Sequence, residues 1–362
     1  MRSNKIVCGL VLSCGVVVSI AAFAGRARAE EMPVAGKNSK LELSGVGWIT
    51  YRYQMEDADT LNSARDLNSF DVDRVYLTGS YTIDERYKWQ TTLEATNRAG
   101  VLSLFLKKAY LQAEKPFQIE NSTLWLGQFD HQFVGPMEKV WGFRSVAKLP
   151  LDEYFGLGTT LVGIGLGGKT SSGLLDWAVT AGNEKPYNKP STTKYKTGLA
   201  RVTLTPAGSE QGKQFHLMAA AQVNSDASPA ADNLNTVFML FPYWKSERLT
   251  AGLEFDLLSD KHVHHDGEGR SAEEAETETH TSQNLGGFVT YQASDRIRLL
   301  GRVEQYDPDT DSDDDAFVRA IVGVARSYGK NLRGIVDLDL RSHESSDLDS
   351  EVVISARAEA TL

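Results

Sequence analysis

The chain has 362 residues, 24% charged, 41% hydrophobic and 9% aromatic, with a formal net charge of −10. That acidic balance argues against a basic nucleic-acid-binding face, and 14 Phe, 13 Tyr and 6 Trp spread along the chain argue against disorder. Beyond residue 25 no run reaches the roughly 18 apolar residues a spanning helix needs, which excludes a polytopic helical membrane protein.

Residues 1–29 read as a secretory signal. Arg2 and Lys5 open it, Ile6 to Ala24 form its apolar stretch, and Ala27-Arg28-Ala29 supplies an A-x-A cleavage site before Glu30. The rival is a lipoprotein cut at Cys14, which leaves Val16 to Ala24 as an apolar head. Cys8 and Cys14 both lie in the segment removed, so neither a disulfide nor a thiolate metal site is expected in the mature chain. Removal also takes Arg2, Lys5, Arg26 and Arg28 and no acid, which moves the net charge from −10 to −14.

A short segment, 30–40, leads into a chain that alternates with a period of two to its end. Sixteen strands are predicted, at 41–55, 70–83, 86–97, 104–114, 122–130, 157–167, 173–182, 195–205, 213–224, 235–244, 248–258, 283–293, 295–306, 317–327, 331–342 and 351–362. In the third, Tyr87, Trp89, Leu93 and Ala95 interleave with Lys88, Gln90, Thr92 and Glu94. After the fifth comes 131–156, which does not alternate yet carries Phe133, Val134, Trp141, Phe143, Leu149, Tyr154 and Phe155. A solvated loop rarely holds so much apolar surface, so this one is expected to fold against the inner wall. The rival is an outward loop packed on a neighbouring subunit. Its charges, Glu138, Lys139, Arg144, Lys148, Asp152 and Glu153, make it the candidate constriction.

The strand at 235–244 is apolar on both parities, which implies either a subunit contact or a wall covered from inside by a loop. Beyond it, 259–280 and 307–315 together hold thirteen acids against Lys261 and Arg270, so most of the negative charge sits in two loops. Such acidic loops could gather divalent cations and bridge to anionic lipid headgroups. Asp307-Pro-Asp-Thr-Asp-Ser-Asp starts like a calcium loop, but Ser312 stands at the glycine position and Val318 at the bidentate glutamate position. His262, His264, His265 and His280 lack the fixed spacing of a metal site. No metal or cofactor is therefore expected.

Segments of about ten alternating residues, joined by short turns on one rim and longer loops on the other, mark an outer-membrane barrel. Tyr81, Tyr87, Trp89, Tyr243, Trp244, Tyr291 and Tyr328 cluster beside the short turns as an interfacial girdle would. A backbone crossing lipid must pair all its polar groups, which leaves only a closed sheet here. Sixteen strands leave an aqueous bore. The wall set that would line it includes Arg52, Lys88, Lys108, Arg201, Arg298, Arg302, Arg319, Arg333 and Arg341, on the parity opposite the apolar residues. Turning one of these cations toward lipid costs about 2–4 kcal/mol. No nucleophile elbow, Walker loop or dinucleotide fingerprint occurs. For a barrel enzyme, His131 and His216 are the only histidines near wall or constriction positions, and neither has a sequence partner.

Phe70-Asp-Val-Asp-Arg-Val-Tyr-Leu with Gly79, Leu106-Lys-Lys-Ala-Tyr-Leu, Leu124-Trp-Leu-Gly-Gln-Phe, Gly163-Ile-Gly-Leu-Gly-Gly, Leu175-Asp-Trp-Ala-Val-Thr-Ala-Gly-Asn and Ala200-Arg-Val-Thr-Leu-Thr-Pro follow one another in order. In these segments the chain resembles the phosphate-selective porin O and P family of Gram-negative outer membranes. The resemblance implies a sixteen-stranded, usually trimeric channel with the third outer loop folded inward. The mixed charges of 131–156 depart from the basic rows of the family's anion channels, and Leu362 stands where assembly signals usually end in an aromatic. The expected protein is thus an outer-membrane porin passing small hydrophilic solutes or ions, with lipids and copies of itself as partners. The alternatives are an anion- or phosphate-preferring channel, a non-conducting structural barrel and a barrel enzyme.

Overall fold

In the computed structural model the alternating segments form sixteen strands, each antiparallel to the next. They are β1 (Lys40–Glu56), β2 (Asn68–Thr82), β3 (Tyr87–Arg98), β4 (Val101–Glu114), β5 (Ser122–Asp130), β6 (Thr160–Lys169), β7 (Leu175–Asn183) and β8 (Lys196–Leu204). The second half comprises β9 (Gln214–Ser228), β10 (Ala231–Lys245), β11 (Leu249–His264), β12 (Thr277–Gln292), β13 (Ile297–Asp307), β14 (Phe317–Ser327), β15 (Leu332–His343) and β16 (Glu351–Thr361). β1 also pairs with β16, Val46 opposite Thr361 and Tyr53 opposite Ile354, so the sheet closes into a barrel without a free edge. The structure describes residues 40–56, 68–98, 101–183, 196–206, 214–228, 231–264, 277–345 and 348–362. The expected signal and cleavage site, most of the leading segment 30–40, and His265 with the acidic run around it lie outside them.

The strand count is as predicted; β4 begins three residues early, at Val101, and β9 to β12 are longer than predicted. β9 and β10 run on to Ser228 and back from Ala231, and β11 and β12 to His264 and back from Thr277. Their outer ends, such as Asn224-Ser225-Asp226 and Asp232-Asn233, are polar on both parities. Apolar alternation stops there, but the backbone ladder continues, as Asp232 opposite Ala227 and His262 opposite Glu278 show.

Burial is inverted relative to a water-soluble sheet. Leu253, Leu285 and Val336 are 61%, 60% and 57% exposed, whereas the inward Glu94, Asp256, Glu304 and Asp337 are buried. Tyr87, Trp89, Trp244, Tyr291 and Tyr328 are exposed near the short turns, as expected of a girdle. Tyr243 is not part of it. It shares the parity of Phe241 and stacks inside on His216, with ring centroids 4.4 Å apart.

Two bulges alter the charge pattern of the inner wall. Trp48 pairs with Arg74 but Ile49 pairs with Val72, which leaves Asp73 as an extra residue in β2. Thr92 pairs with Lys108 but Leu93 with Leu106, which leaves Lys107 extra in β4. An extra residue breaks strict alternation, and at both places two consecutive charged side chains find partners. Arg52 reaches Asp73 at 2.6 Å, while Arg74 and Lys107 reach Glu94 at 3.1 and 3.0 Å. Lys108 reaches Asp130 at 2.6 Å.

Candidate pore constriction

The connection from β5 to β6 is built from its own apolar residues. His131 N–H donates to the Thr159 carbonyl at 2.9 Å and closes its base. A helix, Val134–Trp141, follows; it ends where Gly142 takes φ 73°, a left-handed conformation glycine adopts without steric cost. Trp141 Nε1 then donates to the Ala147 carbonyl at 3.0 Å and folds the chain back on itself. A short helix, Pro150–Glu153, completes the segment.

Phe133, Val134, Met137, Trp141, Phe143, Leu149 and Leu151 are all buried. They pack on the inward side chains Val237, Met239 and Phe241 of β10, together with Phe288, Leu300, Ile321 and Ile335 from β12 to β15. The doubly apolar strand is therefore a wall covered from inside, the second of its two expected explanations.

Polar contacts carry the segment further round the ring. Arg302 on β13 donates to the Lys148 carbonyl at 3.1 Å, Arg333 on β15 to the Gly142 carbonyl at 3.1 Å, and Arg357 on β16 to the Ser145 carbonyl at 2.6 Å. Ser145 Oγ bonds to Glu359, and Tyr154 O–H donates to Glu304 at 2.6 Å. Arg319 on β14 reaches Tyr154 and Glu153 at 3.2 and 3.4 Å. A segment that leaves at β5 and docks on the inward faces of β10 to β16 lies within the ring.

Within the segment Arg144 pairs with Glu138 and, at 2.8 Å, with Asp152. Burial raises the Asp152 carboxyl, but the charge and hydrogen bond of Arg144 outweigh it and hold the group below its usual range. His131 is pushed down to about 4 by burial, opposed by its 2.8 Å hydrogen bond to Gln222 on β9. The imidazole is therefore neutral at pH 7.

Residues 144–148 of the segment, with β1 to β3 and β14 to β16, enclose a cavity of about 340 Å³. Its charged lining is Arg52, Arg74, Arg144, Lys148, Arg319 and Arg357 against Asp73, Glu153 and Asp339, so bases outnumber acids two to one. Of the predicted constriction residues, Arg144, Lys148 and Glu153 line this space. Glu138 and Asp152 hold Arg144 in place, and the exposed Lys139 is not part of the lining.

The predicted wall residues divide by partner. Arg52 lines the cavity; Arg302, Arg319 and Arg333 tether the segment. Arg201 pairs with Asp176, and Arg298 donates to Gln292 at 2.8 Å near the short-turn rim. Arg341 lies 3.8 Å from Glu351 and over the Phe317 ring. Lys88 takes the expected inward parity, opposite Gln112. The sequence reading missed Asp73, Arg74 and Lys107, and the signal available was the doubling of charges at Asp73-Arg74 and Lys107-Lys108, where alternation slips.

His131 touches Gln222 and Phe133, while His216 Nδ1 meets Thr205 Oγ1 at 2.7 Å. Neither hydrogen-bonds a carboxylate among the described residues, so neither shows there the partner that the rival reading, a barrel hydrolase, requires. Asp309 receives the hydroxyl of its neighbour Ser312 at 3.0 Å and sits 3.1 Å from His280. These contacts stabilise its carboxylate and hold its pKa down. No three His, Cys, Asp or Glu side chains gather as a metal cage among the described residues.

No family model matches the chain, and no curated protein sequence matches it either. Solved structures do. The chain is similar to an anion-selective porin from Comamonas acidovorans, with TM-score 0.65 and 9% identity over 90% of this chain and 100% of that one. It is similar to the outer membrane channel DcaP of Acinetobacter baumannii, with TM-score 0.60 and 15% identity over 91% and 99%. It is also similar to the trimer form of OmpT, an outer membrane protein of Vibrio cholerae, with TM-score 0.59 and 10% identity over 90% and 99%. At such identities the likeness establishes the fold, that of the outer-membrane porins.

Proposed function

We propose that this chain forms a water-filled channel in a Gram-negative outer membrane, through which small hydrophilic solutes diffuse passively. The observation that carries the reading is the inverted burial. Apolar side chains cover the outside of a closed sheet, and ionised ones line the inside, where only water or one another can stabilise them. The segment 131–156 narrows the bore, and passage is left beside residues 144–148. Export by the signal at 1–29 and assembly as a homotrimer belong to the same reading, which includes no catalytic step. The trimeric Vibrio cholerae structure supports the oligomer. Liposome swelling tests the channel: vesicles carrying the purified protein swell in small sugars and progressively less as sugar size rises. Vesicles that swell no faster than empty ones refute it.

The basic excess around the cavity favours a second, narrower reading, a preference for anions. The sequence resemblance to phosphate-selective porins and the fold likeness to an anion-selective porin point the same way. A reversal potential displaced toward that of the anion under a salt gradient supports this preference, and one near zero removes it while leaving the channel intact.

A further inference from the structure

Behind the seat of the inner segment, β11 to β13 carry a cluster that the channel reading does not use. Glu254 and Asp256 stand two residues apart on the inward face of β11, both buried, with their carboxyl groups within hydrogen-bonding reach of each other. Asn284, fully buried, lies opposite Asp256 on β12 and donates its amide N–H to Asp256 Oδ2 at 2.9 Å. Gly286, opposite Glu254, keeps the next position clear; a Cβ there would meet Glu304 Cβ at 3.2 Å.

Among the described residues, three oxygens in this cluster have no hydrogen-bond partner: Glu254 Oε1, Asp256 Oδ1 and Asn284 Oδ1. Charge is unbalanced as well. Arg302 bonds Glu304 at 2.7 Å and stands 3.8 Å from Glu254, while Asp256 has no ion pair among the described residues. Arg319 is spent on Asp339 at 2.6 Å and reaches Glu304 only at 3.5 Å. Buried carboxylates need a counter-charge or a proton. One proton shared between Glu254 and Asp256 would join two of the free oxygens and leave Asn284 Oδ1 unanswered. A cation, which takes oxygen ligands, supplies the further partner that one proton does not.

We infer that Glu254, Asp256 and Asn284 form a site for a divalent cation of the calcium type, set into the inner wall beside Arg302. Calcium takes six to eight oxygens in flexible geometry, so two carboxylates and one carboxamide leave room for water. The ion would brace β11 against β12 directly behind the Arg302 tether.

Isothermal titration of the full-length, detergent-solubilised protein with calcium chloride at neutral pH tests this. The expected result is one tight site per chain, separate from weak binding to the acidic loops. The combined Glu254→Gln and Asp256→Asn variant is expected to lose it, and Asn284→Ala to weaken it about tenfold or more while keeping both carboxylates. If the double variant fails to fold, the wild type and Asn284→Ala decide between them. Absence of a tight site in the wild type, or equal affinity in Asn284→Ala, overturns the assignment and leaves a shared proton as the occupant.

Discussion

Arg357 shows how one inward side chain can hold two levels of structure. Its guanidinium grips Asp337 at 2.7 and 3.0 Å, donates to the Ser145 carbonyl at 2.6 Å and also reaches Ser355 Oγ at 3.1 Å. Asp337 is fully enclosed, so Arg357→Ala strands a buried carboxylate and frees the segment. A loss of about 3–5 kcal/mol is expected, read as a lower urea midpoint in tryptophan fluorescence, with noisier open-channel current. His131 adds a pH dependence of definite sign. Its folded-state pKa of about 4 lies below the unfolded value near 6.5, so stability is complete above pH 6.5 and declines as pH falls toward 4. The decline is on the order of 3 kcal/mol. The urea midpoint of the wild type should fall over that interval, while that of His131→Asn should lack this component. Parity along the strands makes Arg302, Arg319 and Arg333 legible as inward from the sequence alone. Asp73, Arg74 and Lys107 are not, because a bulge is a backbone event that adds one residue without changing composition.

At the scale of elements, the segment between β5 and β6 and the strand β10 explain each other. An excess of aromatic residues in one and a missing polar face in the other are two halves of a single contact. The sequence shows each half but not that they meet, since 91 positions separate His131 from its partner Gln222. Met239→Ala empties a fully buried site in the cluster that includes Val134 and Met137, and is expected to cost about 2–5 kcal/mol in the same denaturation assay. Replacing residues 138–150 by a short Gly-Ser linker should raise unit conductance and weaken charge preference. Unchanged conductance would mean that the narrowest point lies elsewhere. The ends of β9 to β12 were read too short for a simple reason: apolar alternation reports where lipid stops, and backbone pairing continues past it.

For the molecule as a whole, the deciding feature is which face of the closed sheet meets lipid. Leu253 lies on the outer surface, 61% exposed. In a lipid-facing band Leu253→Arg should cost about 2–4 kcal/mol, measured by reversible unfolding from lipid vesicles; a surface bathed in water would register almost nothing. Closure, strand number and facing were all legible in the period-two pattern, because each follows from alternation and chain order. Solute preference was not, because it depends on how six bases and three acids converge from separate strands around one cavity. The most direct test is single-channel recording from the purified protein in planar bilayers. An enclosed water column predicts discrete, ohmic current steps that grow in proportion to salt concentration. Folded protein that demonstrably inserts yet carries no current would contradict it.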